Sequence, residues 1–190
     1  MIVEAAAALI EHDGYDAVTH RLVAAEAGVP LGSTTYYFAS LADLRRDAVA
    51  LLVEREAAAA EALAPVRNQA RRPATVARLV LEVLYGGDAL ADPAALLMIV
   101  DRLVQSARYP EVRALVQAGR ERIEDAIAVM LDRSGFTVDP VSDRALLTVL
   151  IAVSDGAMLS ALAEGAPDPA ANAQVLVTRI LEDHDPARPS

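Results

Sequence analysis

The 190-residue sequence predicts an all-α protein, and three observations carry that prediction. The chain is 54% hydrophobic but only 4% aromatic, so Ala, Leu and Val must fill its core, and Ala and Leu favour helix over strand. No segment alternates apolar and polar residues long enough to suggest a strand. Helix boundaries are written repeatedly. Asp92-Pro93, Asp139-Pro140 and Asp168-Pro169 each place a capping carboxylate before a proline, which suits the first helical position because its missing N–H costs nothing there. Gly86-Gly87, Tyr109-Pro110, Ser134-Gly135 and Gly165 read as stops.

Taken in order, an Ala-rich helix over residues 2–12 stops at Asp13-Gly14. Thr19 is an N-cap for a helix over 20–27, since its hydroxyl can accept an orphan backbone N–H. Gly28 suits the left-handed residue that closes that helix, and Val29 is placed to plug a core. A short helix follows over 31–37. Ser40 with Asp43 forms a variant capping box opening a long helix to about residue 63. Residues 64–73 read as a loop. Further helices are expected near 74–85, 93–107, 110–133, 140–164 and 169–183. Two short helices joined by a tight glycine turn, the second polar and hydroxyl-rich, have the shape of a helix-turn-helix, which places its second helix in the major groove of DNA.

Charge bounds how such a head could work. The formal net charge is −10, which argues against non-specific coating of nucleic acid. Residues 1–46 hold six acids against three arginines, Arg21, Arg45 and Arg46, a thin positive face for a phosphate backbone.

The helix expected at 140–164 carries a single charge, Asp155, between Ala145 and Ala163, with apolar residues on every face. Such a helix needs cover all round. A membrane span is one solution by length, but Asp155-Gly156, Thr148, Ser154 and Ser160 argue against it. Burial between the chain's own core and a second copy is the expected solution. The predicted interface takes Leu146, Leu150, Val153, Leu159 and Leu162 from this helix. Val175 and Ile180 of the next helix join them, giving a four-helix bundle across a two-fold axis.

Residues 14–44 resemble the DNA-binding domain of the TetR (tetracycline-repressor-type) family of bacterial regulators. The resemblance rests on Gly14, Thr19, Arg21, the Ala27-Gly28-Val29 turn, Gly32-Ser33, the aromatic pair Tyr37-Phe38 and Ser40. Four departures stand out: Pro30 where a capping residue is usual, Thr35 where tyrosine is common, Leu41 where lysine is common, and a start inside helix 1, which suggests a truncated N-terminus. The resemblance implies a head over 1–46 and a helical ligand-binding and dimerisation body over 47–190. Leu31, Ser33, Thr34 and Thr35 would face base edges, where hydroxyls donate or accept and methyls meet thymine. Thr19, Arg21, Tyr36, Tyr37 and Arg45 would hold phosphates and set register. Phe38 is expected in the core.

The resemblance also implies a small-molecule effector in the body, in an apolar cavity between Ala-rich helices. Met98, Arg102 and Gln105, on one face at i, i+4 and i+7, are candidate lining residues. Tyr85, Tyr109, Met130 and Asp155 complete the set, Asp155 because a carboxylate in so apolar a helix needs a partner.

The expected function is a dimeric, cytoplasmic, ligand-responsive repressor on a near-palindromic operator, without cofactor and with no membrane partner. Cysteine is absent, three isolated histidines make no metal site, and no nucleophile–base pair or phosphate loop suggests an enzyme. The alternative is a helical small-molecule-binding or interaction module whose DNA-binding head is weakened or inactive.

Overall fold

The structure, a computed structural model, describes residues 1–65, 72–136, 138 and 143–184. Among the described residues there are nine α-helices, two short 3-10 turns and no strand. The helices are α1 (Ile2–Asp13), α2 (His20–Glu26), α3 (Leu31–Tyr37), α4 (Leu41–Leu63), α5 (Pro73–Tyr85), α6 (Pro93–Arg108), α7 (Pro110–Arg133), α8 (Arg144–Ala163) and α9 (Pro169–Asp183). The 3-10 turns cover Tyr15–Ala17 and Ala89–Ala91.

Local chemistry sets most of these boundaries. Thr19 Oγ1 accepts the Leu22 N–H at 3.2 Å, and Asp92 and Asp168 accept from Ala94 and Ala170 at 2.9 and 3.1 Å. Ser40 Oγ accepts the Asp43 N–H at 3.1 Å and donates to the Asp43 carboxylate at 2.8 Å. The reciprocal bond is therefore between side chains, not to the backbone N–H that a full capping box satisfies. Gly28, at φ +64°, turns the chain between α2 and α3, a conformation that strains any residue bearing a Cβ. The expected Asp139-Pro140 start lies outside the described residues, and α8 begins at Arg144.

The chain forms two compact units, Met1–Arg55 with Leu97–Gly119, and Glu56–Leu96 with Arg120–Ser190. The expected head of residues 1–46 lies wholly inside the first. Its core gathers Ala5, Ala6 and Ile10 of α1, Tyr15, Val18, Val23 of α2 and Leu44, Val49 and Leu52 of α4, with Val112 and Val116 of α7. Phe38 packs against this core. Gly119 of α7 lies so close to α4 that an added Cβ would sit 2.3 Å from Val53 Cγ1.

In the second unit α9 packs against both α5 and α8. Small residues permit close approach: Ala170 and Ala173 of α9, Ala77 of α5, and Ala157 and Ala161 of α8 are all buried. Gln174 Nε2 donates to the Ala74 carbonyl at 3.2 Å, and Arg144 pairs with Glu124 at 3.3 Å.

The α4–α7 crossing yields a signed prediction. Gly119→Ala should gain up to about 1 kcal/mol of helix propensity but lose about 1–3 kcal/mol to overpacking against a stiff, branched neighbour. The expected net effect is destabilisation, read as a lower thermal midpoint. In a Val53→Ala background the same substitution should become neutral or stabilising.

Candidate nucleic-acid interface and effector site

Helix α3 presents most of its residues to solvent because only one side of seven residues can meet the core. Leu31, Thr35, Tyr36 and Tyr37 are exposed and Ser33 is half-buried. Thr35 Oγ1 donates to the Gly32 carbonyl at 3.2 Å, which leaves its lone pairs outward. The Tyr36 and Tyr37 rings meet edge to face, 5.2 Å between centroids. Thr19 and Arg21 are exposed at the start of α2.

Two expected DNA contacts are corrected. Thr34 is fully buried and its hydroxyl donates to the Leu31 carbonyl at 2.9 Å, so it does not reach a base edge. It lies one helical turn before Phe38, on the face turned to the core, a spacing signal available in the sequence. Arg45 is committed within the fold. Its guanidinium donates to the Asp16 and Val18 carbonyls at 3.1 and 2.9 Å and lies 5.0 Å from the Tyr15 ring centroid. It straps α4 to the chain between α1 and α2 instead of reaching a phosphate. Arg46, exposed, is paired with Asp43 and Asp47.

The expected effector residues fall into two separate groups. Met98, Arg102, Gln105 and Tyr109 belong to the first unit. Gln105 is buried and donates to Asp101 at 3.1 Å, Arg102 is buried, and Met98 is half-buried near Gly14. Tyr109 stacks on Tyr15 with centroids 4.7 Å apart and donates to Asp16 Oδ1 at 3.1 Å. Burial first, then the Glu111 charge, pushes the Tyr15 phenol up to about 12. Tyr109 therefore braces the first unit's interior.

Tyr85, Met130 and Asp155 belong to the second unit. Met130 is fully buried, its sulfur accepting from Ser134 Oγ at 3.7 Å, and fills core. Tyr85, at the end of α5, donates to Asp155 Oδ1 at 2.8 Å, and Arg120 of α7 donates to Asp155 Oδ2 at 2.5 Å. Burial and then the Asp155 charge push the Tyr85 phenol far above its ordinary value. Arg120 was not legible in the sequence, because an arginine in the charged run Gly119-Arg-Glu-Arg-Ile looks like any solvated residue. A second feature of this unit is a cleft of 250 Å³ floored by Ala64, Pro65, Ala126 and Val129, with Glu61, Arg122 and Asp125 at its rim. Arg122 grips Glu61 there through two bonds of 2.7 and 2.9 Å. Among the described residues no group of three or more His, Asp or Glu is placed to hold a metal ion.

The expected self-association residues are unequal. Leu150 is fully buried in its own chain and is withdrawn from the interface. Leu159 is 49% exposed and Val175 60% exposed. Leu146, Val153, Leu162 and Ile180 are half-buried. The exposed face also holds Val149, Ala152 and Gly156 of α8 and Leu176 of α9, which extend the surface beyond the sequence reading.

The reassignment of Arg45 is testable against Arg21. Arg45→Ala removes charged hydrogen bonds worth about 1.5–3 kcal/mol and should lower the thermal midpoint of the free protein. Arg21→Ala should leave that midpoint unchanged and weaken DNA binding only. Equal midpoints for the two variants would refute the strap.

Family comparisons cover nearly the whole chain. Residues 2–48 match the family described as bacterial regulatory proteins, tetR family, and residues 71–183 match the tetracyclin repressor-like C-terminal domain. Among solved structures, the multidrug binding protein EbrR complexed with proflavin is 26% identical, with 94% of this chain and 96% of that one covered and a TM-score of 0.68. The complex of EbrR with imidazole is 32% identical, covering 94% and 92% at a TM-score of 0.64. The ethidium complex is 29% identical, covering 94% and 95% at 0.66. No curated protein matches the chain at a significant level.

Proposed function

The chain belongs to the TetR family of bacterial regulatory proteins, and from that premise we propose that it is a dimeric, ligand-responsive repressor that reads a near-palindromic operator. Family membership makes it a transcriptional regulator with a helix-turn-helix and not an enzyme. The observation that carries the finer reading is the outward face of α3, where Leu31, Thr35, Tyr36 and Tyr37 stand exposed with nothing in their own chain to cover them. Ser33, Thr35 and Leu31 meet base edges, while Thr19, Arg21, Tyr36 and Tyr37 hold phosphates. The DNA-reading part is residues 1–46, and residues 47–190 serve effector binding and pairing.

Pairing uses the exposed face of α8 and α9. Helix α8 is long and apolar enough to cross a membrane by composition. A second copy of the same two helices satisfies it equally well, and the Tyr85–Asp155–Arg120 network on its other side suits a water-soluble, cytoplasmic protein. Two heads would then sit about one DNA turn apart. The effector binds in the second unit, near Tyr85 and Asp155. The EbrR structures, which hold small organic molecules, support an effector of that size. Its influence on DNA affinity is limited to its preference between body states, typically about 1–3 kcal/mol.

A second reading, a regulator whose head binds DNA weakly, is favoured by one observation. Of the three arginines in residues 1–46, Arg45 is bonded inside the fold and Arg46 to acids, leaving Arg21 for phosphate.

Mobility shifts on the gene's own upstream DNA across salt concentrations decide between them. With one arginine per head, the slope of log affinity against log salt should be shallow, about −2 for the dimer. Ser33→Ala and Tyr37→Ala should each lower operator affinity without changing sedimentation. Normal operator binding by both would refute the head assignment. Leu159→Arg or Val175→Arg should convert the dimer to monomer in sedimentation equilibrium, and dimers that persist in both would move the interface elsewhere.

A further inference from the structure

We infer that the second unit takes an organic cation, seated on Asp155 and Tyr85 in the place that Arg120 occupies. The inference rests on the effector reading above and gives that effector a charge and a competitor.

Asp155 is held by two donors of unequal permanence. Tyr85 is stiff and 6% exposed at the end of α5, and its phenol, protonated at neutral pH, donates to Asp155. Arg120 approaches on a long, flexible side chain that is 25% exposed, and it is ion-paired with Asp155. It can swing into water while keeping its charge solvated. Asp155 cannot follow, because it sits on α8, where no other charged residue stands between Ala145 and Ala163. A carboxylate only 23% exposed and stripped of its cation is costly, so the vacancy selects a positive replacement.

An anionic ligand meets the opposite situation. It would have to draw Arg120 away and then lie beside the uncompensated Asp155, placing like charges together. A metal ion is equally disfavoured, since one carboxylate and one phenol fall short of the oxygen ligand sets that Mg²⁺ or Ca²⁺ require. The helical neighbours of the pair supply an apolar surround: Leu81 lies one turn before Tyr85, and Ile151 and Met158 flank Asp155 on α8, all three buried. The class that fits is a hydrophobic cation with delocalised charge, for which the planar guanidinium of Arg120 is the resident stand-in.

The test uses the intact protein without DNA and two fluorescent probes: ethidium, a planar cation, and 8-anilinonaphthalene-1-sulfonate, an anion of comparable size. Arg120→Met should tighten ethidium by about tenfold or more, because the competitor is gone and the carboxylate remains. Asp155→Asn, which still accepts from Tyr85, should weaken ethidium by a similar factor. Neither substitution should tighten the sulfonate. If Arg120→Met does not fold by circular dichroism, Arg120→Lys replaces it and should shift ethidium in the same direction by less. Ethidium bound equally by wild type and variants would overturn the competition while leaving the effector reading intact. Tighter sulfonate binding by Asp155→Asn, with ethidium unaffected, would overturn the cation assignment. Failure of wild type and every variant to bind ethidium would overturn both this inference and the placement of the effector near Tyr85.

Discussion

Everything the molecule does as a regulator depends on one unbalanced surface. Helix α8 is apolar on both sides, yet its own chain covers only one of them. Leu147, Leu150, Ile151, Met158 and Ala161 are buried, while Val149, Ala152, Gly156 and Leu159 face outward. Apolar surface left in water forgoes about 25 cal/mol per Å² that contact would recover. A stable interface needs about 800 Å² per partner. Val175 and Leu176 on α9 widen the face in that direction. In the proposed dimer, small residues at its centre would let two copies approach closely, and the larger side chains around them would supply area. A single recognition helix of seven residues contacts too few bases to select a site in a genome, and the proposed pairing through this face would double it.

The head shows how a protein of net charge −10 meets a polyanion. Two of its three arginines are spent on the fold. Arg45 closes the α1–α2 connection onto α4, and Arg46 balances neighbouring acids on its own helix. What remains outward and not paired with a neighbouring acid in the head is Arg21, with hydroxyls and a pair of tyrosines. Such a surface forgoes the salt-dependent, sequence-blind attraction that dominates affinity in basic DNA-binding proteins. Its discrimination must come from direct contacts to base edges and from tyrosine hydroxyls that position the helix.

Elements were legible in the sequence wherever a boundary is a local event. Thr19, Ser40, Asp92 and Asp168 announce helix starts through their own side chains, and Gly28 announces a turn through its missing Cβ. Placement of single side chains was less legible because it is decided by what lies opposite. Thr34 and Thr35 are adjacent hydroxyls with the same helix propensity, and only the spacing from Thr34 to the core residue Phe38 distinguishes the buried one from the exposed one. Leu150 and Val149 differ in the same way. The assignment of Leu97–Gly119 to the first unit has no local signature at all, since α6 and α7 run through the boundary without a break in pattern. That is why Met98, Arg102, Gln105 and Tyr109, which the sequence places in one candidate set with Asp155, belong to a different unit from it. Arg120 is the converse case, an unremarked surface-type residue whose partner lies 35 positions away.

Helix α7 holds two of the decisive contacts on successive residues. Gly119 meets Val53 of α4 at a distance that leaves no room for a Cβ, and Arg120 is bonded to Asp155 of α8. A contact without slack transmits movement where a loose one would absorb it, because a packed interior has few voids to take up a shift. Helix α4 is the continuous element that begins at Leu41, capped by Ser40 shortly after the recognition helix, and runs 23 residues. The small size of Gly119 is what lets α7 and α4 meet at this level, since a larger residue there would hold the two helices apart.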